Sequence, residues 1–552
     1  MKPRQCLLFA LAVFLCLTSG CSQRVPRVES GNRTQVLHVG NGAEPQDLDP
    51  QIVTGVTEHH LIMSMIEGLV IEDPVDLHPI PGVAERWDIS QPDGLIYTFH
   101  LRKNAKWSNG EPVTAVDFVR SYQRILTPTL ASQYASQHFM VTNAKAYNEG
   151  KLKDFSQVGY KALDPHTFQI KLESPTAYLL SLMNHTSWFP VHVPTIERHG
   201  PAFSRGNRWT RPGNFTGNGP FQLDKWRYNY AVTVRKSPTY WDAANVHLNA
   251  INFYAIESQD TEERAFRAGL LHVTQPPPPT KIAVYQERWP DRIRISPYLG
   301  AYFYRINVTK PPLNDKRVRR ALAMAIDRES IVKNVTKGGQ LPANNLTPPN
   351  TAGFNARARI PTDLAAAKKL LAEAGFPDGK GMPPVEILYN TQETHRTIAE
   401  AIQQMWKVNL GVDARLQNQE WKVYLDSQKT LNYQVCRAGW IGDYVDPNTF
   451  LDMWVKDGGN NETGWTNPEY DRLIEDAGRT TDTAKRFELF QRAEEILMDE
   501  CPIMPIYFYT RVALMRPELK GWNPTVLDNH PFKYVRLDPG AVLQKSASRN
   551  DR

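Results

Sequence analysis

Between Cys436 and Phe450 the chain reads CRAGWIGDYVDPNTF, which sets a guanidinium at Arg437 and a carboxylate at Asp443 six residues apart, with Trp440 and two glycines between them. Six residues of extended chain span about 20 Å, whereas a tripeptide measures about 10 Å from its amino to its carboxylate end. Gly439 and Gly442 allow the chain to bend over that interval. The two charges then suit opposite ends of a small zwitterion. A carboxylate accepts charge-assisted hydrogen bonds from an α-ammonium, and a guanidinium grips a terminal carboxylate at two points. The competing reading is an Arg–Asp ion pair that ties the loop to itself, and spacing alone leaves both open.

Motifs of common enzymes are missing: there is no HExxH, no GxSxG and no CxxC. GFPDGKG (Gly375 to Gly381) has neither the spacing of a phosphate loop nor a Ser or Thr after its Lys. His59 and His60 are adjacent, so a helix points them about 100° apart, a poor arrangement for one metal. Fourteen histidines and 58 carboxylates still leave room for a secreted hydrolase that acts on peptides or glycosides through scattered groups.

The elements that must carry these residues show both periodicities. Leu95–Leu101, Ala231–Val234, Val385–Tyr389 and Pro502–Tyr509 are β-branched and aromatic runs bounded by turn formers, and they predict strands. In NDKRVRRALAMAID, Asn314 caps a helix whose apolar face is Val318, Ala321, Leu322, Ala325 and Ile326. In TDLAAAKKLLAEAG, Thr362 caps and Gly375 takes the left-handed position after the helix. From 383 to 440 the order runs VEILY, a helix over Glu393 to Val408, VDARLQ, a short helix near Trp421, then YQVCRAG. This alternation predicts α/β layers around a mostly parallel sheet, with ligands beyond the strand ends. Pro276 to Pro279 reads as a stiff polyproline connection.

At 552 residues, 41% hydrophobic and 22% charged, the chain is globular and long enough for two to four domains. Residues 1–20 form a signal peptide: Lys2 and Arg4 precede an apolar run of twelve, Cys6 to Leu17, too short to span a bilayer. The LTSGC that follows resembles a bacterial lipobox with Thr18 in place of the usual Leu, so Cys21 is either a lipidation site or the plain start of a mature chain. Residues 21–33 read as a polar tether. Loss of Lys2 and Arg4 lowers the net charge from +6 to +4, with no dense basic run, which argues against nucleic acid as a partner. Cys436 and Cys501 are either paired or two buried free thiols.

RAGWIGDYVDPNTFL resembles the segment that carries the ligand-ammonium aspartate in bacterial oligopeptide-binding proteins of ABC importers, the extracellular solute-binding family 5. Eight further segments resemble that family in the same order, among them GAEPQDLDP, YTFHLRKNAKWSNGEPVTAVDF, NDKRVRRALAMAIDR and NQEWKVYLD, and together they cover nearly all of the mature chain. The resemblance implies an α/β fold of the type II periplasmic-binding-protein kind, two lobes with a hinge and a cleft, plus an extra inserted domain. Lobe I would comprise 34–68, 191–300 and 507–540, the inserted domain II 69–190, and lobe III 301–506. It implies a non-catalytic, monomeric receptor, with no metal or cofactor, that is anchored to a membrane by lipid in the periplasm or cell envelope. Its partners would be peptides of about two to five residues and the permease.

Residue by residue, Asp443 matches the acceptor for the peptide ammonium, and Arg437 and His395 match groups that meet the terminal carboxylate. Without the resemblance, His395 reads as a surface helix histidine. Thr54, Gly55 and Val56 match a docking strip on lobe I, and Gly439 its counterpart across the cleft. Trp421, Trp440, Tyr134 and Tyr509 would line pockets or bond the peptide backbone; the residues alone say core. Gly300 and Ile441 stand where relatives carry a disulfide, while Gln428 and Thr336 replace basic residues, which puts four- and five-residue peptides in doubt. Murein peptides, another solute such as a metal chelate, or a receptor without a transporter remain alternatives.

Overall fold

Three sheets organise the chain in this computed structural model, which describes residues 25–540. The first orders its strands Val36–Gly40, Ala250–Tyr254, Ala231–Lys236 and Phe221–Arg227, and only its first pair is parallel. The second is antiparallel and runs Ala84–Ile89, Ile96–Leu101, Thr167–Lys171, Tyr160–Asp164. Strict alternation in Ile96–Leu101 turns Tyr97, Phe99 and Leu101 inward against Phe118 and Tyr122 of the helix Ala115–Leu126. Thr114 and Asp117 close that helix start with a capping box.

The third sheet has six strands, in the order Leu341–Pro342, Ile503–Leu514, Ile293–Ile306, Val435–Ile441, Val385–Asn390 and Ala414–Gln419. It is mixed, which corrects the expectation of a mostly parallel sheet. Only Val435–Ile441, Val385–Asn390 and Ala414–Gln419 run parallel. The strand–helix alternation of 383–440 governs its own crossovers, but the strands that complete the sheet arrive from distant chain and pair antiparallel.

Two of those arrivals are long, 14 residues in Ile293–Ile306 and 12 in Ile503–Leu514. One end of the pair, at Ile293 and Leu514, packs with Tyr254 and Phe266 near the first sheet; the other, at Tyr302 and Ile503, lies in the core of the third. The register slips between Pro297 and Ala301, so the ladder is weakest where the chain passes between the two cores. The core behind the second sheet is continuous with that of the third, and across the junction Tyr178 stacks on Tyr444 at 5.1 Å.

Local expectations shift by small steps. The caps are Asp315 and Asp363, not Asn314 and Thr362: Asp315 accepts from the Arg317 N–H and Asp363 from the Ala366 N–H. Each pair offered adjacent oxygens, and the first helical residue decided which one faced the free N–H groups. Gly375 is left-handed at φ +97°, as expected. Asp363→Ala is expected to lower stability by about 1 kcal/mol, seen as a lower urea midpoint at unchanged slope. An unmoved midpoint would return the cap to Thr362.

One connection is also corrected and another is shortened by one residue. Residues 27–33, read as tether, belong to a helix, Arg27–Thr34, whose Val28 is buried. The proline run ends in structure, with Pro278 capping and Pro279 opening the helix Pro279–Arg288, because a fixed φ near −65° suits a first helical turn. Cys436 and Cys501 are both buried and free. No helix among the described residues is long and apolar enough to cross a membrane. Residues 1–24, including Cys21, lie outside the described residues.

Candidate functional site

The strand Val435–Ile441 alternates buried and half-buried residues, so Arg437, Gly439 and Ile441 share the face that looks into a cavity of about 330 Å³. The strand ends as the Gly442 N–H reaches the Leu299 carbonyl at 2.8 Å, and the chain turns so that Asp443 reaches the same cavity. The Asp443 N–H donates to Thr449 Oγ1 at 2.9 Å, which fixes the turn.

Asp443 and Arg437 do not pair with each other. Asp443 accepts from Gln137 Nε2 at 2.7 Å and from the Tyr134 hydroxyl at 3.5 Å, both from the domain that carries the second sheet. His185 Nε2 lies 3.5 Å away, but burial, with His59 and His138 nearby, holds that imidazole well below its ordinary pKa and therefore neutral. The carboxyl thus has no cationic partner among the described residues. Burial, reinforced by Asp452, holds it well above the usual carboxylate range.

Arg437 is the opposite case. Its Nη2 donates to the Tyr509 hydroxyl at 2.8 Å and its Nη1 reaches Asn390 Oδ1 at 3.4 Å. The guanidinium lies 4.8 Å from the centre of the Tyr302 ring, and its buried Nε has no partner. No carboxylate lies within ion-pair distance among the described residues. A guanidinium cannot shed its charge, so a buried cation waits for an anion.

His395 stands in the first turn of Glu393–Leu410, where that helix meets the cavity, so it is buried and not the surface histidine its spacing suggested. Nδ1 is 3.4 Å from the Tyr302 hydroxyl. Burial and then Arg437 hold it well below its ordinary pKa, so it offers a neutral N–H and no second charge. A Cβ on Gly439 would come 2.7 Å from the Tyr509 hydroxyl oxygen, which is why that position has none.

Across the cavity, Thr54, Gly55 and Val56 lead into the helix Val56–Met65. Trp421, from the third-sheet side, sits 3.1 Å from where a Gly55 Cβ would be, so the two walls nearly touch there. Trp440 is 9% exposed and lies 6.4 Å from the Tyr134 ring. All eleven cavity residues expected from sequence therefore line one space.

Sequence reasoning passed over His59, His60, His185, Gln137, Arg511 and Asp528, which line that space or touch Asp443. The one local signal was that His59 and His60 stand three and four residues after Val56. The departures also find a place. Gly300 and Ile441 are register partners on neighbouring antiparallel strands. Gln428 is buried and spends its amide on the Tyr424 hydroxyl and the Arg437 carbonyl. Thr336 lines the cavity with its hydroxyl on Gln340.

The profile of bacterial extracellular solute-binding proteins, family 5 (middle region), matches residues 78–462. The chain belongs to that family. As a family 5 solute-binding protein it is 40% identical to the periplasmic oligopeptide-binding protein OppA of Salmonella typhimurium, over 89% of this chain and 90% of the relative. Its structure superposes on that of the Escherichia coli murein tripeptide-binding protein MppA with a TM-score of 0.87 at 37% identity, covering 91% of this chain and 98% of the other. Against the unliganded open form of MppA the TM-score falls to 0.61 at 36% identity and coverage of 91% and 97%. This family 5 chain is thus more similar in shape to the first of these MppA structures than to the unliganded open form.

Proposed function

We propose that this chain is an exported receptor that closes over a short peptide of about two to five residues and delivers it to the permease of an ABC importer. The observation that carries the reading is a pair of buried groups without a counter-charge in one cavity: a carboxyl that can accept an ammonium at Asp443 and a cation for a carboxylate at Arg437. Main-chain contacts along Thr54–Val56 on one wall and Gly439 on the other would hold an extended backbone as an added strand does. The lobes 34–68, 191–300 and 507–540 against 301–506, with 69–190 inserted, are the bodies that close. Closure is biased by contacts that exist only when both walls engage one ligand. The likeness to periplasmic oligopeptide-binding relatives supports a place in the periplasm; a lipid anchor at Cys21 rests on the LTSGC sequence alone, and the receptor is taken as a monomer. Likeness to a murein tripeptide-binding protein supports murein peptides as a second ligand class, and mass spectrometry of whatever co-purifies separates the two.

Titration calorimetry with trialanine and N-acetyl-trialanine tests the role of Asp443, and equal affinities would remove it. Affinity is also expected to depend on pH in one direction. Only the ionised carboxylate pairs with an ammonium, and in the empty cavity that carboxyl titrates above its ordinary value. Trialanine binding should therefore be complete above that raised value and weaken as pH falls through it, earlier than a solvent-exposed carboxylate would dictate. A flat profile down to the ordinary carboxylate range would place the ammonium elsewhere.

A further inference from the structure

The wall between the Asp443 and Arg437 ends is made by residues that neither end uses. His59 and His60 stand in the first half of the helix Val56–Met65, and Arg511 lies two residues beyond Tyr509; all three line the cavity. His59 Nε2 is 3.0 Å from Asn529 Oδ1 and its ring stacks on His185 at 5.9 Å. Nε2 of His60 is buried and unpartnered. Arg511 Nε donates to Asp528 Oδ2 at 2.5 Å, and Nη1 reaches Gln275 Oε1 at 3.3 Å and the Val512 carbonyl at 3.5 Å. Nη2 has no acceptor among the described residues. The other oxygen of Asp528 is taken by His530 Nε2 at 2.9 Å. Asp528 is thus compensated by Arg511 and also holds His530, while Arg511 Nη2 and His60 Nε2 face the cavity without acceptors among the described residues.

We propose that His59, His60 and Arg511 form a subsite for an acidic side chain of the bound peptide. This rests on the peptide-receptor reading above. A carboxylate there accepts from Arg511 Nη2 and from an imidazole N–H of His60, and it fills the wall's unmet donors. A void of about 10 Å³ behind the wall, lined by His60, Arg511 and His530, has room for one water that would complete the network. A lysine ammonium gains less there, because the charge of Asp528 is already compensated by Arg511.

Proton linkage gives the subsite a signature. In the empty cavity burial pushes His59 down to about 4 and His60 down to about 3, so both are neutral at neutral pH. Asp528 pulls His60 upward, while His59, His530 and Arg511 press it downward. A ligand carboxylate adds a second anion and raises the imidazoles, so acidic peptides should take up protons on binding and gain affinity as pH falls. Asp443 acts on every peptide alike, so the ratio of two peptides cancels its contribution.

The test is calorimetry on the whole chain with trialanine and its single glutamate, glutamine and lysine variants at each position. One glutamate position should bind about tenfold more tightly than its glutamine counterpart at neutral pH, where both imidazoles are neutral N–H donors, with the ratio growing as pH falls below neutral towards about 5. His60→Asn should bring the ratio towards one. Arg511→Gln, which strips Asp528 of its cation, should turn the preference to lysine. Equal affinity for glutamate and glutamine at every position overturns the subsite while leaving the peptide receptor intact, as does a ratio that both variants leave unchanged. If trialanine itself does not bind, the underlying reading falls, and the subsite with it.

Discussion

Asp443→Asn is expected to weaken trialanine binding by roughly 2–5 kcal/mol, from about thirtyfold to several thousandfold. The substitution keeps the shape and an oxygen for the Gln137 amide, so what it removes is charge. The ligand ammonium is then enclosed beside Tyr134 and a neutral His185 with no anion to meet it. Stability of the empty protein should move the other way or not at all. A carboxyl whose folded pKa is raised opposes folding when ionised, so at neutral pH its removal relieves a cost. Loss of binding together with an unchanged or higher melting temperature separates this from a folding defect. N-acetyl-trialanine closes the cycle: the wild type should discriminate strongly against it, and the variant should bind the two peptides within a few-fold. Strong discrimination that persists in Asp443→Asn would assign the ammonium to another group.

Arg437→Gln should cost a similar roughly 2–5 kcal/mol, but only for peptides whose carboxylate reaches it. Arg437 and Asp443 are held by one strand and its turn, so the distance between them is a ruler. Across di- to penta-alanine, the loss should be greatest at a single length and fade on either side. Amidating the carboxyl terminus of that best peptide should reproduce the loss in the wild type and add little in the variant. Equal losses at every length would mean that Arg437 acts by holding Tyr509 and Asn390 in place, not by meeting the ligand.

The legible part of the site was a stretch in which chemistry and spacing were both local. Arg437, Gly439, Trp440 and Asp443 fall within seven residues, and the strand period sends Arg437 and Gly439 to one face. Their partners were not legible. Gln137 and Tyr134 meet Asp443 across some three hundred residues of chain. His59 and His60 meet Arg511 and Asp528 from the far end of the chain, and only the nearness of the two histidines to Thr54–Val56 hints at a shared wall. His395 shows the same limit, since a histidine in a first helical turn is exposed or buried according to what the helix end abuts.

What the sequence determined by itself was the family and those strands and helices whose periodicity is strong, because periodicity, turn residues and shared motifs are written along the chain. It also determined that an acid and a base of opposite charge leave one strand end together. The tertiary structure decided that the central sheet is mixed, that Asp315 and Asp363 cap their helices, and that Arg437 and Asp443 face ligand space and not each other. The physical reason is common to all three. Strand partners, exposed N–H groups and the burial that leaves a charge uncompensated are set by segments far away in the chain, and they exist only once those segments have packed.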